Sequence, residues 1–153
     1  MPNATRALEP ESLAYCSPKD VAIASAQAAR TKIRSGQHRN VTSQLVPGIV
    51  QANLAILPAK FADDFLRFCQ LNPKPCPLLG MTEPGNPTLP MLGENIDLRT
   101  DLPAYRVFKD GIEVAEVTEI GEYWRDDLVG FAMGCSLSFE AALMDAGLPM
   151  RRY

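Results

Sequence analysis

Apolar and polar positions fall into blocks along this chain, and each block carries its own punctuation. The first is alanine-rich and runs from Pro18 to Arg34, with Ser17 before it and Gly36 after it. Serine caps helices, proline suits the first helical position, Asp20 complements the helix dipole, and glycine adopts the left-handed turn that ends a helix. The pattern predicts a helix over 17–34 that stops at Gly36. The second block, GIVQANLAIL at 48–57, is apolar except for Gln51 and Asn53 and runs into Pro58. It reads as a buried strand or extended segment. Pro58 then opens a second helix, with Asp63 and Asp64 early and Phe61, Phe65, Phe68 and Cys69 spaced to share one face.

Further on, the alternating prolines of NPKPCP at 72–77 predict an extended, polyproline-like path. Leu78, Leu79 and Met81 read as a short strand before the turn Glu83-Pro84-Gly85-Asn86-Pro87. The stretch 105–117 predicts a hairpin, because Asp110-Gly111 suits the left-handed angles of a tight turn between two apolar-rich arms. A buried strand over 127–133 and a helix over 139–146, closed by Gly147 and Pro149, complete the pattern. Residues 1–16 show weak periodicity and read as a flexible lead-in to one domain over 17–153. The interleaving predicts a mixed α/β fold: a sheet with flanking helices and one antiparallel hairpin. The tail Met150-Arg151-Arg152-Tyr153 follows a helix stop and reads as the start of another element, so an incomplete fold is expected.

Composition narrows the function more than the fold. At 153 residues, 46% hydrophobic and 22% charged, the chain can bury a core as one domain. A net charge of -3, with Lys and Arg scattered, argues against nucleic acid as the main partner. No stretch approaches the ~18 apolar residues of a membrane span, and no secretory pattern opens the chain. Cys16, Cys69, Cys76 and Cys135 lie far apart with no CxxC pair, which points to reduced thiols in the cytoplasm and to no metal site. No nucleotide motif is present either, so cofactor-free chemistry is expected. A homo-oligomer stays open.

Four segments can carry chemistry. In Gly134-Cys135-Ser136-Leu137-Ser138-Phe139-Glu140 an apolar strand leads into a helix, and such a corner offers unpaired N–H groups to a carboxylate or an oxyanion. Cys135 can act there as acid or nucleophile and Glu140 as base, with Gly134, Ser136 and Ser138 binding substrate. The plainer alternative is that a serine caps the helix and Cys135 fills core space. Gln51 and Asn53, as amides inside an apolar run, either bind substrate or satisfy a neighbouring loop. Lys74 and Cys76 sit on the proline run, which also serves as a plain connector. Arg125 can clamp a carboxylate or pair with a nearby Asp at the surface. His38 reads as a solvated loop residue.

These residues carry a resemblance. The runs VPGIVQANLAILPAKFADDFLRFCQLNPKPCPLLG, DLPAYRVFKDG and WRDDLVGFAMGCSLSFEAALMDAGLPMR resemble the front part of the "putative hydro-lyase" family, which includes D-glutamate cyclase. QANL, NPKPCPLLG and GCSxSFE are specific as a set, and the similarity covers nearly the whole chain after about Ser12. Family members continue beyond this length, so the resemblance implies a chain cut short at its C-terminus. It also implies a carbon–oxygen lyase acting on a small carboxylate, with D-glutamate closing to 5-oxo-D-proline and water. Two other readings stand beside it. One is a non-catalytic binding protein for a small carboxylate or lactam; the other is an inactive fragment.

Overall fold

The computed structural model describes residues 18–43 and 45–148. The lead-in over 1–16, the Ser17 cap, Cys16, Pro149 and the Met150–Tyr153 tail lie outside the described residues.

The elements run α1 (Pro18–Arg34), β1 (Ala52–Pro58), α2 (Ala62–Leu71), β2 (Leu78–Met81), β3 (Tyr105–Lys109), β4 (Ile112–Val117), β5 (Leu128–Gly134) and α3 (Glu140–Asp145). The fold is mixed α/β, and both sheets are antiparallel. One sheet has the order β1-β5-β2; the other is the β3-β4 hairpin.

Strand β5 is the axis. Its first five residues are all buried, because β1 and β2 flank it and both of its faces are covered. Successive side chains point to opposite faces. Val129 and Phe131 meet Ala62, Phe65 and Leu66 of the α2 region, while Ala132 meets Leu54, Leu79, Leu89 and Leu98. Phe65 presents its edge to Phe131, with ring centroids 4.9 Å apart. Gly130 has a packing reason to lack a side chain, since a methyl there would collide with Leu98. Its N–H donates to Thr82 Oγ1 at 2.9 Å.

The glycine stops hold where they were expected. After α1, Gly36 takes a φ of 74° and donates to the Ile33 carbonyl, while Gln37 N–H reaches back to Lys32. Gly147, with a φ of 78°, repeats the arrangement through Met144, and Leu148 donates to Leu143. In both cases the paired bonds satisfy the last helical carbonyls. The hairpin turn is also as read, with Asp110 and Gly111 both at positive φ.

Three expectations need correction. The strand read over 48–57 begins only at Ala52, because Val46-Pro47-Gly48-Ile49 forms a turn closed by Ile49 N–H to the Val46 carbonyl, with Gly48 at a φ of 78°. The proline run at 72–77 is a turn and not an extended path, since Cys76 N–H donates to the Asn72 carbonyl at 3.0 Å. Proline's fixed φ suits either conformation, and that hydrogen bond decides between them. On α2 the buried residues are Ala62 and Cys69, with Phe65 and Leu66 half-buried, whereas Phe61 and Phe68 are half exposed. The helix faces β5 about one residue round from the aromatic stripe.

Candidate functional site

A half-open cavity of about 890 Å³ lies on the Ala132 face of the sheet. Its floor is Leu54, Leu79 and Ala132, and its far wall is α1 through Ala29, Arg30 and Ile33. The loop between α1 and β1 closes one side and the segment 89–104 the other. Apolar walls with a few converging polar groups are the usual make-up of a small-molecule site. Here the polar groups include Gln51, Asn53, Arg30, Arg39 and Asp101.

Gln51 joins this cavity to the corner after β5. Its main chain is stitched to the corner four times. Its N–H donates to Ser138 Oγ at 2.8 Å, and its carbonyl accepts from Cys135 N–H at 3.3 Å, Ser138 Oγ at 3.2 Å and the Cys135 thiol at 3.6 Å. Its side-chain oxygen accepts from Thr42 Oγ1 at 2.7 Å. The thiol and the Ser138 hydroxyl are therefore committed to the main chain of Gln51, just before β1. Glu140 is buried and accepts from Ser43 of the loop between α1 and β1. A 3-10 turn, Ser136–Phe139, precedes the six-residue α3, and no side chain caps it. Ser136 is exposed.

The structure thus brings together Gln51, Asn53, Gly134, Cys135, Ser138 and Glu140, but in two layers. Gln51 lines the cavity, while Asn53 reaches it only at the strand edge, its side chain on the α2 face; Cys135, Ser138 and Glu140 stand behind Gln51 and the loop. Asn53 is exposed on β1 opposite Met133, so it is no buried amide. Arg125 lies elsewhere. It pairs with Asp127 at 2.9 Å in an exposed ion pair at the other end of β5 from Gly134. Seven strand residues put roughly 20 Å between them. Lys74 is exposed on its turn, and His38 Nε2 lies 3.3 Å from the Val41 carbonyl.

The sequence reading missed the charged far wall. Arg34 holds Asp101 with two bonds of 2.5 and 2.9 Å, and Arg30 approaches the same carboxylate at 3.6 Å. Arg30 also donates to the Glu94 carbonyl and Arg34 to that of Asn95. The Asp101 side chain is only 4% exposed, and its hydrogen bonds raise the Arg34 pKa still further. Arg30 and Arg34 are four apart on one helix and so share a face, which was the available signal.

No family model matches the chain. It is 56% identical over 134 residues to a protein named "Putative hydro-lyase" from Azorhizobium caulinodans, covering 88% of this chain and 49% of that protein. It is 59% identical over 126 residues to one of that name from Bordetella petrii, covering 82% and 48%. A third, from Verminephrobacter eiseniae, is 54% identical over 132 residues, covering 86% and 48%. The chain is a relative of this hydro-lyase family. It spans about half the length of the curated relatives it matches. Among the described residues no helix is long and apolar enough to cross a membrane.

Proposed function

We propose that this chain carries the substrate cavity of a carbon–oxygen lyase that adds or removes water from a small carboxylic acid. The observation behind the reaction class is its identity of 54–59% to proteins named "Putative hydro-lyase". The cavity beside Gln51 supports the location.

D-glutamate closing to 5-oxo-D-proline is the reaction that fits this reading best. The nitrogen attacks the side-chain carboxyl carbon and a C–N bond forms. Two of the three ammonium protons pass to the oxygen that leaves as water, so atoms and charge balance. Such a step needs donors for the tetrahedral oxygen and a dry pocket around it. Gln51 supplies an amide at the cavity wall, and Leu54, Leu79 and Ala132 supply the apolar floor. Asn53 alternates with Leu54 along β1, so its side chain lies on the α2 face of the sheet. The reading gives Cys135, Ser138 and Glu140 positioning roles, because their hydrogen bonds go to Gln51 and Ser43. Arg125 takes no part in it.

Chiral chromatography of D-glutamate incubated with the protein tests this. We expect 5-oxo-D-proline to accumulate, and its rate to fall about tenfold or more in Gln51→Ala, the effect of removing a donor to developing charge. Wild-type protein without turnover, or Gln51→Ala at full rate, sinks the reading. Saturable binding without turnover would instead describe a non-catalytic carboxylate-binding protein.

A further inference from the structure

We infer that Arg39 is the carboxylate anchor of the cavity and sets its preference for anionic ligands. The inference rests on the cavity being the ligand site proposed above, but not on the reaction assigned to it.

Four charged residues line the hollow: Arg30, Arg39, Glu94 and Asp101. Arg30 is engaged twice, by the Asp101 carboxylate and the Glu94 carbonyl. Asp101 is taken up by Arg34, Arg30 and the Asp97 N–H. Glu94 is an exposed rim residue on the segment that Arg30 ties down. Arg39 alone of the two cations has no acidic partner among the described residues.

Its guanidinium lies against the chain stop beneath it. Gly36 ends α1 at positive φ, and a methyl group built there would lie 2.6 Å from Arg39 Nη2. The guanidinium therefore packs over Gly36, at the end of an exposed and flexible side chain. The loop that carries Arg39 is tied to the Gln51 corner further along, through Thr42 to Gln51 and Ser43 to Glu140. One loop thus presents a planar cation on the same hollow as the Gln51 amide. A guanidinium can hold a carboxylate through two parallel hydrogen bonds, which an ammonium cannot reproduce. The ligand class that follows is a small carboxylate with an apolar or polar body, short enough for Gln51 to reach its other end.

Calorimetric titration with 5-oxo-D-proline, its uncharged carboxamide, D-glutamate and butyrate tests this on wild type, Arg39→Gln and Arg39→Lys. Wild type should bind the acids and prefer 5-oxo-D-proline to its carboxamide. Arg39→Gln should lose about ten- to hundredfold for the acids, the range for a hydrogen bond to a charged group, and leave the carboxamide unchanged. Arg39→Lys should fall between. Affinity of wild type for the acids should also weaken as salt rises, and that slope should flatten in Arg39→Gln. Arg39 is exposed on a loop, so thermal unfolding should match in all three proteins.

Equal affinity of wild type and Arg39→Gln for the acids overturns the inference, as does the absence of saturable acid binding to wild type. Acid binding that depends on Arg39 without lactam formation keeps the anchor and removes the lyase. Lactam formation indifferent to Arg39 does the reverse.

Discussion

The two faces of β5 are held by different physics. On one, Val129 and Phe131 are sealed against α2 by apolar contact, with Phe131 wholly buried. On the other, Ala132 looks across a cavity toward α1, and that helix is fastened by guanidinium groups gripping Asp101. Apolar burial is non-directional and is not weakened by charge screening, whereas ion pairs that reach the surface weaken with screening and with changes of charge. The difference separates a floor that sets the shape of the site from a wall that can answer to its surroundings. The α1 side is therefore expected to open at lower free energy than β5, as ligand-binding segments do.

The largest expected effect comes from attacking the floor. Phe131→Ala removes a wholly buried ring with an edge contact to Phe65, and should cost about 3–5 kcal/mol in denaturant unfolding. Since β5 pairs with both β1 and β2, the loss should be global, with amide exchange quickening across all three strands. Loss of protection confined to α2 would mean that the sheet stands without its apolar seal, and the comparison would fail.

Attacking the wall should do something different. Asp101→Ala leaves Arg30 and Arg34 without their carboxylate. Breaking a fully buried pair costs about 3–5 kcal/mol, but the Arg34 side chain is 39% exposed and water can take over part of its solvation. A cost of about 2 kcal/mol is therefore expected, concentrated in α1 and the segment 94–101. Hydrogen exchange should show α1 opening while β5 keeps its protection. Equal loss in both would reveal one cooperative unit, and the distinction between floor and wall would vanish.

The contrast also explains what the sequence could disclose. Local rules placed the helix that ends at Gly36, the Asp110-Gly111 hairpin and the buried run of β5, because each is settled by neighbours in the chain. Pro47-Gly48 belongs with them: proline followed by glycine is the signature of the turn that delays β1, and it was overshadowed by the apolar run that follows. The site was only half legible. The corner at Gly134–Ser138 was visible as a strand-to-helix junction, yet its hydroxyl and thiol turn to the main chain of Gln51, more than eighty residues earlier. No periodicity encodes that choice of partner. The Asp101 staple was hidden for the same reason, since its arginines lie 67 and 71 residues away, a separation that local spacing does not report.

The smallest effect probes the wall through titration. Tyr105 is buried at the start of β3, and its hydroxyl accepts a hydrogen bond from Leu102 N–H at 3.1 Å beside Asp101. Burial pushes its pKa well above the ordinary 10.0. The folded state thus holds this proton to higher pH than the unfolded chain does. Its contribution to stability is complete below about pH 10 and drains away as pH rises toward the folded value. Tyr105→Phe should flatten that alkaline decline, while costing about 1 kcal/mol at neutral pH because the Leu102 N–H loses its acceptor. Exchange measured as pH climbs past 10 should loosen the 97–105 segment and α1 before β5. If wild type and Tyr105→Phe decline in parallel, or β5 opens first, the phenol is no part of what fastens the wall. The α1 side would then depend on Asp101 alone.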